Sequence, residues 1–474
     1  MQAVVKFFAA TIVALVMVGP VVAQQDDMVT VRDNGTHILP ASKTLTVRNI
    51  RSMKLNVVTG TGQQVSYTAS ITANKMGMER HYGDGKLKFS VVDQAGLLEY
   101  KPFQQPERRE ESWLKSLFTK EVRYEAKVER AEMTLTVPED VLLNIDSQYS
   151  DISASGLKRT LSIVGRNGVV NVKDHFADLR IDNMFGNVSI ANIMGDAVVN
   201  SRSSRVTADR VEGRFQLSGQ SIDFRGTKLM AGATIDNPRG KNNVSDIDRD
   251  LRINSNYGEI IVSQVRGMAT ISSQYPTKIN VDRVDGLRAN IERGEMAINN
   301  LGSEVGVSVT GKYAKVTGSD IKKSFIMEGE RNTISIDNVE RDAMIRNTYG
   351  SVALSGIKGQ ITITGNNNTI DLRSIASDRV EIVQTRSTIK GDFLGGLRRL
   401  TITNENGDIQ VGVGSGFAGR YTLRNESGLI QHNLGSGLFS EEVTLAREVS
   451  GGSSSATSEI RIVNRNAKIV VTKQ

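Results

Sequence analysis

The sequence predicts an all-β fold, a parallel β-solenoid of about seventeen 18-residue coils with a β-rich N-terminal cap. Three observations lead there. One pattern returns every eighteen residues: LSIVGRNGVVNVKDHFAD from Leu161, LRIDNMFGNVSIANIMGD from Leu179 and LRINSNYGEIIVSQVRGM from Leu251. Within each coil, apolar residues occupy positions 1, 3, 10, 12 and often 15, and a spacing of two with β-branched residues dominant is strand spacing, whereas a helix needs three and four. Proline is scarce, 7 of 474 residues, beside 44 glycines, so few strands lose a ladder donor while corners are well supplied.

Taken in order along the chain, residues 1–23 read as a signal peptide. Lys6 is followed by the apolar run from Phe7 to Val18, Gly19-Pro20 breaks it, and Val21-Val22-Ala23 offers small residues for cleavage before Gln24. The run is shorter than the ~17 to 25 residues that cross a bilayer. The expectation is an exported protein, periplasmic, cell-surface or extracellular, with no transmembrane segment after signal removal.

Residues 24–140 read as a β-rich N-terminal region and cap. LTVRNIRSMKLNVVTG, QVSYTASI and KLKFSVV have strand character with looser spacing, and SWLKSLF around Trp113 reads as a short amphipathic helix or loop packed on the first coil. Terminal coils expose unpaired edges that invite aggregation, so a solenoid needs caps.

The solenoid spans residues 141–437. Coils start at Leu143, Leu161, Leu179, Ala197, Phe215, Ala233, Leu251, Ala269, Leu287 and Val305 without a gap, and resume with small insertions at Phe325, Ala343, Ile361, Val380, Leu400 and Tyr421. The eighth position is glycine at Gly168, Gly186, Gly258 and Gly350 among others, with asparagine shortly before, as at Asn183, Asn254, Asn347 and Asn404. Both residue types tolerate positive φ, which predicts a corner there. Residues 438–474 form an insertion and a C-terminal coil or cap, because Ile460, Ile462, Ile469 and Val471 fall at the same offsets after the stretch Gly451 to Ser458.

The segment LTVPEDVLLNIDSQYSDISASGL, Leu135 to Leu157, followed by strand-Asn-x-x-Gly-strand units such as INSNYGEIIVSQVRG, resembles the bacterial putative-adhesin family of secreted β-strand repeat proteins. The resemblance covers roughly residues 130 to 435. It implies a parallel β-solenoid, an exported location and an adhesive or cell-envelope role, and it supplies no catalytic or ligand residues.

Composition narrows the chemistry. With no cysteine, disulfide frameworks, thiolate metal sites and cysteine nucleophiles are excluded. The four histidines, His37, His81, His175 and His432, are far apart in sequence, and His175 and His432 fall at core positions 15 and 12. Asp246, Asp248 and Asp250 lack the glycine and distal glutamate of a calcium loop and read as a solvated turn. GVGSGFAG, with Gly412, Gly414, Gly416 and Gly419, has no following Lys-Ser/Thr and reads as a flexible loop. No metal, cofactor or catalytic residue is expected.

What remains is surface. Arg180, Arg252, Arg288, Arg346 and Arg424 occupy outward positions 2 or 4, beside Thr362, Thr364, Thr401 and Thr403, and form the expected ligand-facing surface. The leading reading is an exported non-enzymatic adhesin-like or cell-envelope scaffold. Its partner is a glycan or cell-envelope polymer, or another protein, and not nucleic acid; the net charge of +7 is too diffuse to name one. The alternative is a polysaccharide-active β-helix enzyme, a lyase or hydrolase, although coils of uniform length leave no long loops to wall a cleft. An ice-binding surface needs regular Thr-x-Thr ladders, and only Thr362/Thr364 and Thr401/Thr403 qualify.

Overall fold

Alternation along each short strand decides which residues go inside. In Leu161–Arg166 and Leu179–Met184, residues 1 and 3 of the coil are buried and residues 2 and 4 face outward. Successive coils then lie side by side in register: Leu161 pairs with Leu179, Leu179 with Ala197, and Ala197 with Phe215, all parallel. A second sheet runs through Val170, Val188, Val206 and Phe224. A third column at position 15 continues the pairing through His175, Ile193, Val211 and Leu229. The inside of the stack is therefore a set of apolar ladders, Ile163, Ile181, Val199 and Leu217 being at most 1% exposed. Each such side chain contributes roughly 1.5 to 3 kcal/mol.

The structure is a computed structural model, and it describes residues 27–474 except 84, 101–125, 276, 303–304, 436–441 and 445–446. The signal segment and the Trp113 stretch lie outside the described residues. The chain is about 70% strand and 2% helix, and the parallel β-solenoid expected from the repeat is its fold. Fifteen turns follow in chain order from Leu143 to Val413.

Two details of the repeat differ from the sequence reading. Leu287 pairs with Val307 rather than with Val305, so two extra residues precede this coil instead of following it. Val307 is 1% exposed and Val305 44%, which confirms that the period slips there. The corners also work differently. Positive φ falls at position 7 at Asn167, Phe185, Arg293, Tyr313 and Tyr349, on the position-8 glycine itself at Gly258 and Gly407, and again at position 14, at Asp174, Asn192, Arg210 and Lys228. Glycine at position 8 serves close approach: a Cβ on Gly186 would stand 1.8 Å from the Gly168 carbonyl oxygen of the coil below. The asparagines at position 5 turn inward and donate to corner carbonyls, Asn183 to Gly168 at 3.0 Å, Asn404 to Ser387 at 2.8 Å and Asn425 to Ala467 at 2.7 Å. They are at most 2% exposed and satisfy backbone oxygens that the corner leaves without a strand partner. Asn254 is instead exposed and donates to Asp236 at 3.1 Å.

Both ends of the rod depart from chain order. The C-terminal coil, Glu459–Asn466 with Ile469–Lys473, lies between the coil of Leu400 and the coil of Tyr421: Ile460 pairs with Leu400 on one side and Tyr421 on the other. The coil read as sixteenth is thus the outermost. Two antiparallel strands, Glu448–Gly451 and Glu442–Thr444, cover its edges. The N-terminal end repeats the arrangement. Thr44–Arg51 and Lys54–Gly60 form a layer between Leu142–Gln148/Asp151–Ser155 and an outer layer of Ala95–Tyr100/Val128–Pro138. Leu87–Val92 and Gln64–Asn74 then pair antiparallel on the outside, and Met28–Ile38 adds to the latter. A helix, Lys75–Tyr82, packs here, with Asn74 Oδ1 accepting from the Gly77 N–H at 2.8 Å and Met78 and Tyr82 buried. Antiparallel closure shields the parallel edges that the bare stack would expose.

Candidate interaction surface

In-register stacking turns every outward position into a column that repeats at the ~4.8 Å strand spacing. Neighbours in a column therefore sit eighteen residues apart, and the sequence pairs them. Asn192 donates to Asp174 and Asn300 to Asp282, each at 2.8 Å, and Arg266 meets Asp248 at 2.8 Å. Such exposed pairs contribute ~0 to 1 kcal/mol each and serve mainly to keep like charges apart.

The five arginines of the sequence reading are all exposed and all lie on the face of the first sheet. They are not one continuous stripe. Arg180 is paired with Asp182 at 3.4 Å, and Arg346 with Glu328 at 4.0 Å. Between Arg180 and Arg252 the same column carries Val198, Gln216 and Thr234. Arg252 lines an open depression of about 670 Å³ together with Arg214, Arg249, Gly232 and Ala233. The threonine pairs do not extend into a ladder, since Thr362 faces Glu381 and Thr401 faces Arg461.

The remaining candidates go elsewhere. His175 is buried in the position-15 column with Nε2 3.0 Å from the Asp178 carbonyl oxygen, and burial holds its pKa below the ordinary imidazole value. His432 is buried beside Tyr421, and His37 stacks on Phe89 with centroids 4.4 Å apart. His81 lies in the helix near the N-terminal end. Asp248 takes the ion pair with Arg266, and Asp250 accepts the Met268 N–H at 2.9 Å, so these carboxylates serve neighbouring coils. Gly412 lies in the strand Ile409–Val413, and the glycines after it form the link to the next coil. No group of three or more metal-ligating side chains occurs among the described residues, and none of their helices is long and apolar enough to cross a membrane.

The position-7 corner is the surface that the sequence reading passed over. There the side chain faces outward, and over seven consecutive coils the column reads Arg239, Tyr257, Tyr275, Arg293, Tyr313, Arg331, Tyr349, the last four on left-handed backbone. The four tyrosines are 40 to 48% exposed. The signal was present in the sequence as an aromatic or arginine directly before the corner glycine, in Tyr257-Gly258, Arg293-Gly294 and Tyr349-Gly350.

Comparison with known proteins adds little beyond this geometry. No family model matches the chain, and no curated protein matches it. Among solved structures it is similar to a putative cell adhesion protein from Clostridium sporogenes, at 8% identity over 94% of this chain and 100% of that one, with a TM-score of 0.17. A putative adhesin from Parabacteroides merdae is 9% identical over 76% of this chain and 95% of its own, again with a TM-score of 0.17.

Proposed function

We propose that this chain is an exported, non-enzymatic adhesin-like or cell-envelope scaffold that binds through a long repetitive surface. One observation carries the reading: fifteen turns stacked in register, so that each outward residue type recurs along the rod as a regular column. Such a surface suits many weak contacts to an extended partner, whereas acid–base catalysis depends on a few groups held about one reacting bond. The N-terminal segment with its helix-breaking Gly19-Pro20 supports export.

The test is to incubate the mature protein with acidic and neutral polysaccharides and to follow both retention and chemistry. Polymer should be retained with no new reducing ends or unsaturated products above a heat-killed control. Steady release of such products would replace the scaffold reading with that of a polysaccharide lyase or hydrolase.

A further inference from the structure

We infer that the position-7 ridge from Arg239 to Tyr349 is a binding edge for an extended acidic polysaccharide; the inference rests on the scaffold reading and names its ligand class. Backbone conformation does not explain the residues found there. A left-handed corner is adopted most cheaply by glycine or asparagine, as at Asn167 and Asn367, and a bulky side chain is uncommon in it. Arg293, Tyr313, Arg331 and Tyr349 nevertheless hold φ between 55° and 58° in successive coils. Their side chains, then, are what the position uses.

The rings and guanidinium groups are stacked along the rod axis. Tyr257 and Tyr275 lie 4.6 Å apart with planes 9° from parallel, and Arg239 stands 5.9 Å from the Tyr257 ring. Arg331 sits between two rings, 5.2 Å from Tyr313 and 5.6 Å from Tyr349, and Arg293 is 5.7 Å from Tyr313. Cation–π contact fixes these long side chains and so lowers the entropy lost on binding. Because ring faces are turned to neighbouring layers, a ligand meets mostly ring edges, phenol O–H groups and guanidinium N–H groups. That disfavours a nucleic acid, whose bases need open aromatic faces to stack on. It favours a chain that offers carboxylate or sulfate oxygens.

Charge agrees. Arg239 and Arg293 make no hydrogen bond or ion pair to a carboxylate among the described residues, leaving their donors free. Lys241, Lys278, Lys312 and Lys315 flank the ridge; of the acids among them, Glu259, Glu295 and Glu330 are held by ion pairs of 3.4 to 3.9 Å, and Glu292, beside Arg293 and Lys312, has no ion pair among the described residues.

The experiment measures binding of the full mature chain to polygalacturonate, dextran sulfate, neutral dextran and single-stranded poly(dT). The wild type should bind the two acidic polysaccharides and lose affinity as salt is raised, because exposed charges are screened within ~8 Å at physiological salt. Arg239→Gln, Arg293→Gln and Arg331→Gln together should lower that affinity about 10-fold or more and flatten the salt dependence; this corresponds to about 1.4 kcal/mol. Replacing Tyr257, Tyr275, Tyr313 and Tyr349 by serine should weaken binding while leaving the salt slope steep. A control variant with Arg180, Arg252 and Arg288 changed to glutamine should stay within about threefold of wild type, and unchanged circular dichroism and melting keep folding out of the comparison. Equal loss in the control, no loss in the ridge variant, or a preference for neutral dextran or poly(dT) would overturn the ridge assignment. Acidic-polymer binding that survives every ridge variant would leave the scaffold reading standing without this edge, whereas cleavage of the polymers would remove the scaffold reading itself.

Discussion

At the residue scale, the division of labour is set by which side of the strand a residue faces. Ile253 is 1% exposed while its neighbour Arg252 lies in solvent, and this difference was legible from the spacing of two. His175 is the informative exception. It stands in an otherwise apolar position-15 column, above it Ile193 and Val211, and its Nδ1 has no hydrogen-bond partner. Desolvation lowers its pKa, outweighing the opposing hydrogen bond to Asp178. The sign follows: with the folded-state pKa below the unfolded value of ~6.5, the unfolded chain binds the proton first, so stability is complete above that pH and is lost as pH falls through it. His175→Leu, which restores an apolar column, should therefore narrow the drop in Tm between pH 8 and pH 5 relative to wild type. Identical drops in the two proteins would show that His175 is not the titrating group.

At the scale of the coil, apolar spacing located most strands but could not place insertions. VGVSV from Val305 to Val309 contains two overlapping apolar pairs, Val305/Val307 and Val307/Val309, that satisfy the same rule. Only pairing with Leu287 and Ala289 selects the second. Val307→Asp should accordingly cost several kcal/mol and Val305→Asp under about 1 kcal/mol, as read from chemical denaturation. The reverse ranking would restore the gap-free register. Corners were legible as sites and only in part as mechanisms, the positive φ falling on glycine at Gly258 and Gly407 but on a bulky residue elsewhere. Glycine and asparagine marked them correctly, yet Gly186 is needed for room, Asn183 for its side-chain hydrogen bond, and Phe185 between them takes the positive φ. Local propensity does not separate these roles because each depends on the coil below. The same limit hid the ridge: a tyrosine before a corner glycine is unremarkable in one coil, and acquires meaning only when Tyr257 and Tyr275 are brought face to face by stacking.

At the scale of the whole molecule, the repeat predicted the rod and chain order misled about its ends. A coil's sequence says that it stacks, while any coil of the same pattern offers an equivalent edge. Ile460 and Tyr421 are interchangeable neighbours for Leu400 by that rule, and the structure seats Ile460 there. Placing the last coil inside the previous one, with antiparallel strands outside both, makes the end of the chain a layer of the rod instead of a loose edge. The interior layers are by contrast nearly equivalent, and stability and surface both scale with their number. The central claim, that function resides in the repeated surface, is tested most directly by excising whole coils. Removing Phe325–Asp342, which carries Arg331, joins Ser324 to Ala343 as it was joined to Phe325, and removing Phe325–Gln360 deletes two coils, Tyr349 included, in the same register. Retention of the mature protein on envelope material should fall stepwise with each coil lost while the melts remain cooperative. Unchanged retention across the series, or its complete loss with the first coil removed, would contradict a distributed surface and point to a single localised site.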